Sequence, residues 1–304
     1  MNVVWFKRDL RLADHAPLAA AMDGDKPLML LYIVESELLA DPHYRGRHWH
    51  FITQSLEAMN AQLAKCGGRI EVLEGDAVGI LNTLHSKETI TELFSYEETG
   101  LGVTFERDRR VARLCESAGI AWAEFQTNGV QRGRHDRRGW NRAWQAVMSE
   151  TQTTVSIAHV AERLRSLPPI LEGARCTRLS QWRQQKPKFQ PGGSDAAQQV
   201  LTHFLTERAE GYQRFISKPE GSRLHCSRLS PYLAWGNISL RQVYQALKNR
   251  QISGGWGRAL SAFESRLHWH CHFIQKFEME CRMEHEDLNR GYHEHPRRHD
   301  PERL

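Results

Sequence analysis

Short apolar runs and amphipathic stretches alternate over the first 127 residues. Five runs predict buried strands, at 3–6, 27–34, 69–75, 91–97 and 120–126. Amphipathic patterns predict helices between them, near 16–23, 47–65, 77–86 and 104–118. We expect Asp76 and Thr104 to begin the last two helices and Gly119 to end the fourth. Strands joined in this order by helices predict a parallel sheet.

The pattern changes after residue 127. Prolines and glycines, including Pro187 and Gly192-Gly193, punctuate the stretch 128–194, which we interpret as an interdomain linker with one helix near 139–149. From Ser194 onward the pattern is helical. The prediction is an α/β plus all-α protein. It has a five-stranded parallel Rossmann-like domain at 1–127, the linker at 128–194 and a helical domain at 195–304.

Composition sets broad limits on function. The chain has 304 residues, 40% of them hydrophobic and 25% charged, as in globular proteins. No apolar run reaches the roughly 20 residues of a membrane span, and MNVVWFKRDL does not resemble a signal peptide. We therefore expect a cytoplasmic protein, with no membrane partner and with its six cysteines reduced. The net charge of +5 is weak evidence for an anionic partner, and RGRHDRR at 132–138 reads best as a solvated basic loop.

The stretch SRLSPYLAWGNIS at 227–239 contains residues that typically begin and end helices, and it also has polar groups that these roles do not explain. Ser230 and Pro231 suit a helix start, and Ser239 with Gln242 forms a capping box for the next helix, at 240–249. The remaining run, Ser227 to Ser230, places hydroxyl and backbone N–H groups at a helix start, where anions bind. Spacing alone favours either plain helix packing or a DNA-binding helix-turn-helix over 231–249.

The long helix predicted at 256–281 has two different faces. One is a core stripe that includes Leu260, Phe263 and Leu267. A neighbouring face carries Arg266, Trp269, His270 and Phe273, which suits either a flat, partly charged ligand or a polar rim beside the core. His268 and His272 share a face, but nothing completes a ligand set, so no metal site is predicted. No catalytic residue can be assigned from spacing.

Three stretches resemble one known family. They are VVWFKRDLRLADH at 3–15, SRLSPYLAWGNISLRQVY at 227–244 and FESRLHWHCHFIQKFE at 263–278. Their sequences and order are similar to those of the DNA photolyase/cryptochrome flavoproteins. The resemblance implies an N-terminal α/β antenna domain, a long linker and a helical FAD-binding domain. It also implies a folate or deazaflavin antenna chromophore in the N-terminal domain and a monomeric protein.

The resemblance assigns roles to individual residues. Tyr212 and the loop Cys226-Ser227-Arg228-Leu229-Ser230 match positions that hold the FAD diphosphate, and Phe263, Arg266 and His270 match the wall of the flavin cavity. Arg266 and Trp269 match positions that contact damaged DNA, where Trp269 stacks on a flipped pyrimidine dimer. The implied function is blue-light-driven dimer repair by electron transfer from reduced FAD, the reaction of a carbon–carbon lyase. The alternative is a cryptochrome-type photoreceptor without repair.

Several positions depart from the family pattern. Cys226 replaces a common threonine, Arg266 a glutamate and His270 an arginine, which leaves room for another lesion or for signalling. The chain stops at RRHDPERL, where family members continue with further helices. The resemblance therefore predicts a truncated FAD-binding domain that binds FAD poorly or not at all.

Overall fold

The N-terminal part of the protein is a parallel sheet. We describe residues 1–183 and 189–293 of a computed structural model. The strands are β1 (Asn2–Phe6), β2 (Leu28–Glu35), β3 (Glu71–Gly75), β4 (Glu92–Tyr96) and β5 (Ala121–Phe125). Their order is β3-β2-β1-β4-β5, and every neighbouring pair is parallel. The predicted five-stranded parallel sheet is therefore confirmed.

Helices cover both faces of the sheet. They are α1 (Ala16–Ala21), α2 (Ser36–Ala40), α3 (Gly46–Ala64), α4 (Ala77–Glu88) and α5 (Gly102–Ala118). Side chains of β1 alternate, so that Val4 and Phe6 join one core and Val3 and Trp5 the other. Asp76 caps α4 as predicted, accepting from the N–H of Gly79 at 2.7 Å. We predicted that α5 begins at Thr104, but the helix begins two residues earlier, at Gly102, so that Thr104 lies inside its first turn.

The rest of the described chain is helical. The helices are α6 (Trp140–Ser149), α7 (Ile157–Arg163), α8 (Leu179–Trp182), α9 (Ser194–His203), α10 (Tyr212–Phe215), α11 (Pro219–His225), α12 (Ser230–Ala234), α13 (Leu240–Ile252) and α14 (Gly257–Met279). Short 3-10 turns lie at Pro169–Ala174, Ala209–Gly211, Cys281–Glu284 and Arg290–Tyr292, and a π turn at Phe204–Arg208.

The stretch 128–194 holds more helix than the sequence predicts. Its predicted helix is α6, whose Trp140, Trp144 and Met148 pack into the core of the helical part. Two short helices, α7 and α8, and a 3-10 turn follow it. Pro187, and residues 294–304 of the predicted helical domain, lie outside the described residues.

The loop after β1 is fastened to the turn between α12 and α13. The N–H of Leu10 donates to the carbonyl of Trp235 at 3.0 Å, and the amide of Asn237 donates to the carbonyl of Leu10 at 3.0 Å. Asp14 accepts from the hydroxyl of Ser239 at 2.5 Å and from Arg241 at 2.9 Å. Two of the stretches singled out in the sequence, 3–15 and 227–244, therefore bind each other.

Gly236 allows this close approach. Its φ is +68°, and a Cβ atom there would lie 2.4 Å from the carbonyl oxygen of Arg8 and 2.5 Å from the Cα atom of Asp9. Both contacts are with backbone, which has little freedom to move away. A glycine is therefore required at this point by conformation and by space.

We predict that Gly236→Ala destabilises the protein by roughly 1–3 kcal/mol more than Gly254→Ala, because only the first adds a steric clash. Gly254 is a matched control, since its φ is +77° and a Cβ there would meet nothing within 4 Å. Urea unfolding followed by circular dichroism measures both free energies. Equal losses of stability would show that the turn between α12 and α13 is not tightly packed against the loop after β1.

Candidate functional site

The crevice where open α/β sheets bind ligands is filled with charge in this protein. The strand order reverses between β1 and β4, and ligands of such sheets bind beside that point at the carboxyl ends of the strands. Here the buried Arg107 contacts Glu35 at 2.6 Å, Glu98 at 3.1 Å and Asp108 at 2.9 Å. Lys7 contacts the other oxygen of Asp108 at 3.2 Å. We call these five residues the buried ion cluster.

The buried ion cluster has three carboxylates and two cations. Burial raises the pKa of Glu35 to about 7, because Arg107 also has to neutralise Glu98 and Asp108. The native protein therefore binds a proton at Glu35 more tightly than the unfolded chain does, whose ordinary pKa is 4.5. The resulting stabilisation is complete below about pH 4.5 and is lost as the pH rises through about 7.

We predict that the free energy of unfolding falls more steeply between about pH 5 and about pH 8 in the native sequence than in Glu35→Gln. The expected difference is roughly 1–3 kcal/mol, because glutamine does not titrate. Urea unfolding at a series of pH values measures it. Parallel pH profiles for the two proteins would show that Glu35 keeps its ordinary pKa.

A cavity of about 100 Å³ remains above the buried ion cluster. The loops after β1 and β4 line one side of it, and the region of α12 to α14 lines the other, including Ala234, His270 and Ile274. Ligand pockets are usually roughly 300–1,000 Å³, so this cavity is small for a fused-ring chromophore. The position of His270 was not expected. It faces this cavity, where burial and the nearby Arg8 lower its pKa to about 4, so the imidazole is neutral.

The loop 226–230 has the backbone of an anion site. Arg228 has a left-handed φ of +61°, which is uncommon for a residue with a side chain. Leu229 follows in the right-handed helical region, at φ −85° and ψ −10°. Successive residues of opposite hand turn their N–H groups into one concavity, an arrangement known as a nest. The N–H of Leu229 donates to the hydroxyl of Ser227 at 3.4 Å, whereas those of Ser227 and Arg228 donate to no atom in the described ranges.

Positive charge surrounds this loop. Arg208 donates to the carbonyl oxygens of Cys226 at 2.8 Å and Ser227 at 3.3 Å. Burial and the neighbouring Arg228 lower the pKa of Arg208, and in the part of the chain we describe neither arginine pairs with a carboxylate. Arg208 was missed at the sequence level, since nothing in its local sequence connects it to a loop about twenty residues away.

The start of α12 differs in detail from the prediction. Leu229 occupies the capping position, and Ser230 is the first helical residue, without a capping hydrogen bond. Its hydroxyl is exposed and lines an open pocket of about 370 Å³ together with Ser227, Arg228 and Cys226. The capping box of α13 is present as predicted, with both Ser239–Gln242 hydrogen bonds at 2.9 Å.

Tyr212 and Phe263 lie together in the helical part. Their ring centroids are 5.4 Å apart, and both rings are buried against Phe204. Burial raises the pKa of Tyr212, so the phenol stays protonated and can donate, and its hydroxyl bonds to no other described residue. This places a hydrogen-bond donor close to Cys226, whose thiol also contributes to the pKa shift.

The exposed face of α14 carries Arg266 and Trp269. The guanidinium of Arg266 lies 5.0 Å from the ring centroid of Trp269, and Phe273 continues the row with its ring 5.6 Å away. His270 does not share this face, because it points into the small cavity beside β1. The structure therefore separates His270 from the three residues with which the sequence grouped it.

A helix-turn-helix would need the first turn of α13 to be free. Arg241 instead contacts Asp14 and Glu150, both at 2.9 Å, and Gln242 completes the capping box. Leu240, Val243 and Leu247 are buried in the helical core. These contacts occupy the side chains that such a motif would place in a DNA groove.

Residues 1–183 and 189–293 contain neither a metal-ligand cluster nor a spanning helix. No group of three or more histidines, cysteines or acidic residues in these ranges could hold a metal ion. His268 contacts Asn141, and His272 contacts Arg137. None of the helices in the same ranges is long and apolar enough to cross a membrane.

Comparison with known proteins relates both parts of the chain to one family. Residues 2–132 match the family model described as DNA photolyase. A deoxyribodipyrimidine photo-lyase of Agrobacterium fabrum is 27% identical over 291 residues, which cover 88% of this chain and 57% of that enzyme. Cryptochrome-2 of Gallus gallus is 32% identical over 120 residues, which cover 39% of this chain and 20% of that protein. The chain thus spans a little over half of the photo-lyase.

Solved structures share the fold. A bacterial class III photolyase from Agrobacterium tumefaciens matches with a TM-score of 0.78 at 22% identity, over 99% of this chain and 64% of the other. An archaeal photolyase from Sulfolobus tokodaii, solved with two FAD molecules, matches with a TM-score of 0.74 at 20% identity, over 97% of this chain and 63% of the other. Both the sheet and the helices that follow it therefore belong to one known architecture.

Proposed function

Because the chain belongs to the photolyase/cryptochrome family, we propose that it binds the diphosphate of FAD at the loop 226–230 and acts in blue-light-dependent repair of pyrimidine dimers in DNA. The proposal covers the activity of a longer protein, since the chain spans 57% of the Agrobacterium photo-lyase. A cytoplasmic location and a monomeric state stay predictions from the sequence.

The backbone at Arg228 carries the proposal. A left-handed residue with a large side chain costs free energy, about 1–2 kcal/mol, which the surrounding structure has to offset. Such strain often marks a binding site. Here it turns N–H groups outward beside two arginines that have no carboxylate partner among the described residues. A diphosphate has the charge and the acceptor oxygens to satisfy them.

The donor set fits this part of FAD. Ser227, Ser230 and the phenol of Tyr212 would donate to phosphate oxygens, with Arg228 neutralising their charge. Cys226 supplies a weaker donor than a threonine hydroxyl. The flavin, when bound, supplies the light-driven one-electron chemistry, and the protein positions it and excludes water.

The exposed Trp269 supports repair. An aromatic ring beside a guanidinium suits an unstacked base, which photolyases extrude from the duplex. A cryptochrome-type photoreceptor is the second candidate, and one observation favours it. His270 points away from Trp269 and is neutral, so it adds no charge where repair members have an arginine.

An antenna chromophore of folate or deazaflavin type is a separate part of the proposal. The crevice at β1 and β4 does not fit it, because the buried ion cluster leaves a cavity of only about 100 Å³. A groove of about 450 Å³ between α3 and α12 has a suitable size. Its walls include Trp235 and Phe189, and Arg47 would pair with an anionic tail.

We predict that Arg228→Glu weakens FAD binding at least about tenfold, because it reverses the charge at the diphosphate. Tyr212→Phe should weaken it by a smaller factor of about three to ten, since it removes one donor and keeps the ring that packs on Phe263. Equilibrium dialysis of the purified chain against FAD measures both affinities.

Arg258→Glu serves as the control for charge, because Arg258 is exposed at the start of α14 and does not line the loop 226–230. It should bind FAD as the native sequence does. If Arg228→Glu and Tyr212→Phe bind FAD as well as this control, the diphosphate does not lie at the loop 226–230.

A further inference from the structure

Three successive carbonyl groups are bound from outside in the loop that we propose to hold the diphosphate. Arg208 donates to the carbonyl oxygen of Cys226 at 2.8 Å and to that of Ser227 at 3.3 Å. The side-chain amide of Gln190 donates to the carbonyl oxygen of Arg228 at 3.0 Å. Both donors come from other parts of the chain. We call Arg208 and Gln190 the carbonyl clamp.

The bonds of Arg208 fix the direction of N–H groups on the opposite side of the loop. A trans peptide group is planar, and its carbonyl and its N–H point in opposite directions. A bond to the carbonyl of Cys226 therefore directs the N–H of Ser227, and a bond to the carbonyl of Ser227 directs the N–H of Arg228. Neither N–H donates to an atom in the described ranges. Arg208 thus orients two groups that are available to an anion.

Gln190 has the same effect on the next peptide group. Its bond to the carbonyl of Arg228 sets the peptide plane that follows the left-handed φ of +61°. The backbone beside Gln190 is fixed to α3, because the N–H of Gly192 donates to the side chain of Gln54 at 2.8 Å. Gln190 is therefore held in place by α3 and not only by the loop that it binds.

The side chain of Arg208 is also held by its surroundings. Its guanidinium carbon lies 5.8 Å from the ring centroid of Phe204, and it contacts the carbonyl of Val200 in α9 at 3.5 Å. Phe204 is fully buried and packs on Tyr212 and Phe263. The direction of this donor is therefore set by the packed helical part of the protein.

A helix end explains only one of the three bonds. Cys226 ends α11, and arginines commonly bind the last carbonyls of a helix. The carbonyls of Ser227 and Arg228 lie beyond that helix, so its end does not require them to be bound. The carbonyl clamp instead covers the peptide groups on both sides of the left-handed residue.

We propose that Arg208 and Gln190 are positioning residues for the diphosphate of FAD, which hold the N–H groups of the loop 226–230 in their binding direction before the ligand arrives. The inference rests on the proposed function, because it names the residues that organise that site. Neither side chain has to touch FAD. The left-handed conformation of Arg228 is unfavourable, and the carbonyl clamp offsets this cost in the free protein.

The test compares ligands with and without a diphosphate. Arg208→Gln should raise the Kd of FAD at least about tenfold and Gln190→Ala about three- to tenfold, because bonds that direct the N–H groups are lost. Riboflavin has the same rings but no phosphate, and its Kd should change less than about twofold. Equilibrium dialysis measures both ligands. Calorimetric titration with inorganic pyrophosphate, which needs no flavin pocket, should show the same increases as FAD.

Two control variants lose the same kind of bond elsewhere in the protein. Arg163→Gln removes a guanidinium that donates to the carbonyls of Met22 and Lys26, both at 2.9 Å. Gln245→Ala removes an amide that donates to the carbonyl of Glu150 at 2.7 Å. Both should reduce stability in urea about as much as the clamp variants do, and both should leave the Kd of FAD within about twofold.

A glycine at position 228 separates positioning from direct contact with phosphate. Glycine adopts a positive φ at little cost, so the loop of Arg228→Gly depends less on the carbonyl clamp. Arg208→Gln and Gln190→Ala should each raise the Kd of FAD by a factor at least about threefold smaller in that background than in the native sequence. A side chain that binds phosphate directly would lose the same factor in both backgrounds.

Each other outcome overturns the inference. If both clamp variants bind FAD as the native chain does, and the native chain prefers FAD to riboflavin, the proposed function stands without the carbonyl clamp. Equal factors in the two backgrounds would make Arg208 a direct ligand of phosphate. Equal losses for FAD and riboflavin would show that the variants disturb the whole pocket. A native chain that binds neither FAD nor pyrophosphate would remove the proposed diphosphate site and the carbonyl clamp together.

Discussion

The contact between the loop after β1 and the turn after α12 positions the candidate site. Backbone groups of Leu10 and Trp235 bond directly, and Asn237 and Asp14 add side-chain bonds from either side. A glycine at 236 is required because the two backbones approach within the radius of a side chain. The loop 226–230 leads into α12 and this fixed turn, so its strained residue Arg228 is held by structure on both sides of it.

Burial and partners give the arginines of this protein opposite roles. Arg107 lies among three carboxylates at the carboxyl ends of the strands, where the buried ion cluster leaves little space for a ligand. Arg208 and Arg228 lie close to each other, with no carboxylate partner among the described residues, at a loop where the N–H groups of Ser227 and Arg228 donate to no described atom. In the first arrangement, Arg107 has its charged partners within the protein. The second suits an anion, and on this contrast we base the proposal that the loop binds the diphosphate.

The sequence predicted those elements that depend on a pattern of neighbouring residues. The five strands are apolar runs, and the capping box at Ser239 needs only two residues three positions apart, Ser239 and Gln242. Contacts between residues that are far apart in the sequence could not be predicted. Arg208 reaches the loop 226–230 only through the packing of the helices between them, and His270 is turned toward β1 by the docking of the helical part on the sheet. The basic loop could not be joined to α14 before the Arg137–His272 contact was seen.

Light-driven dimer splitting tests the central claim most directly, namely that this chain belongs to a repair flavoprotein. Oligo(dT) carrying cyclobutane dimers is mixed with the longer protein for which repair is proposed, holding bound, reduced FAD, and is illuminated with blue light while absorbance at the thymine band is followed. We predict that absorbance recovers under light, in proportion to the protein added, and stays constant in the dark. No recovery with FAD bound and reduced would contradict repair and would leave the photoreceptor function.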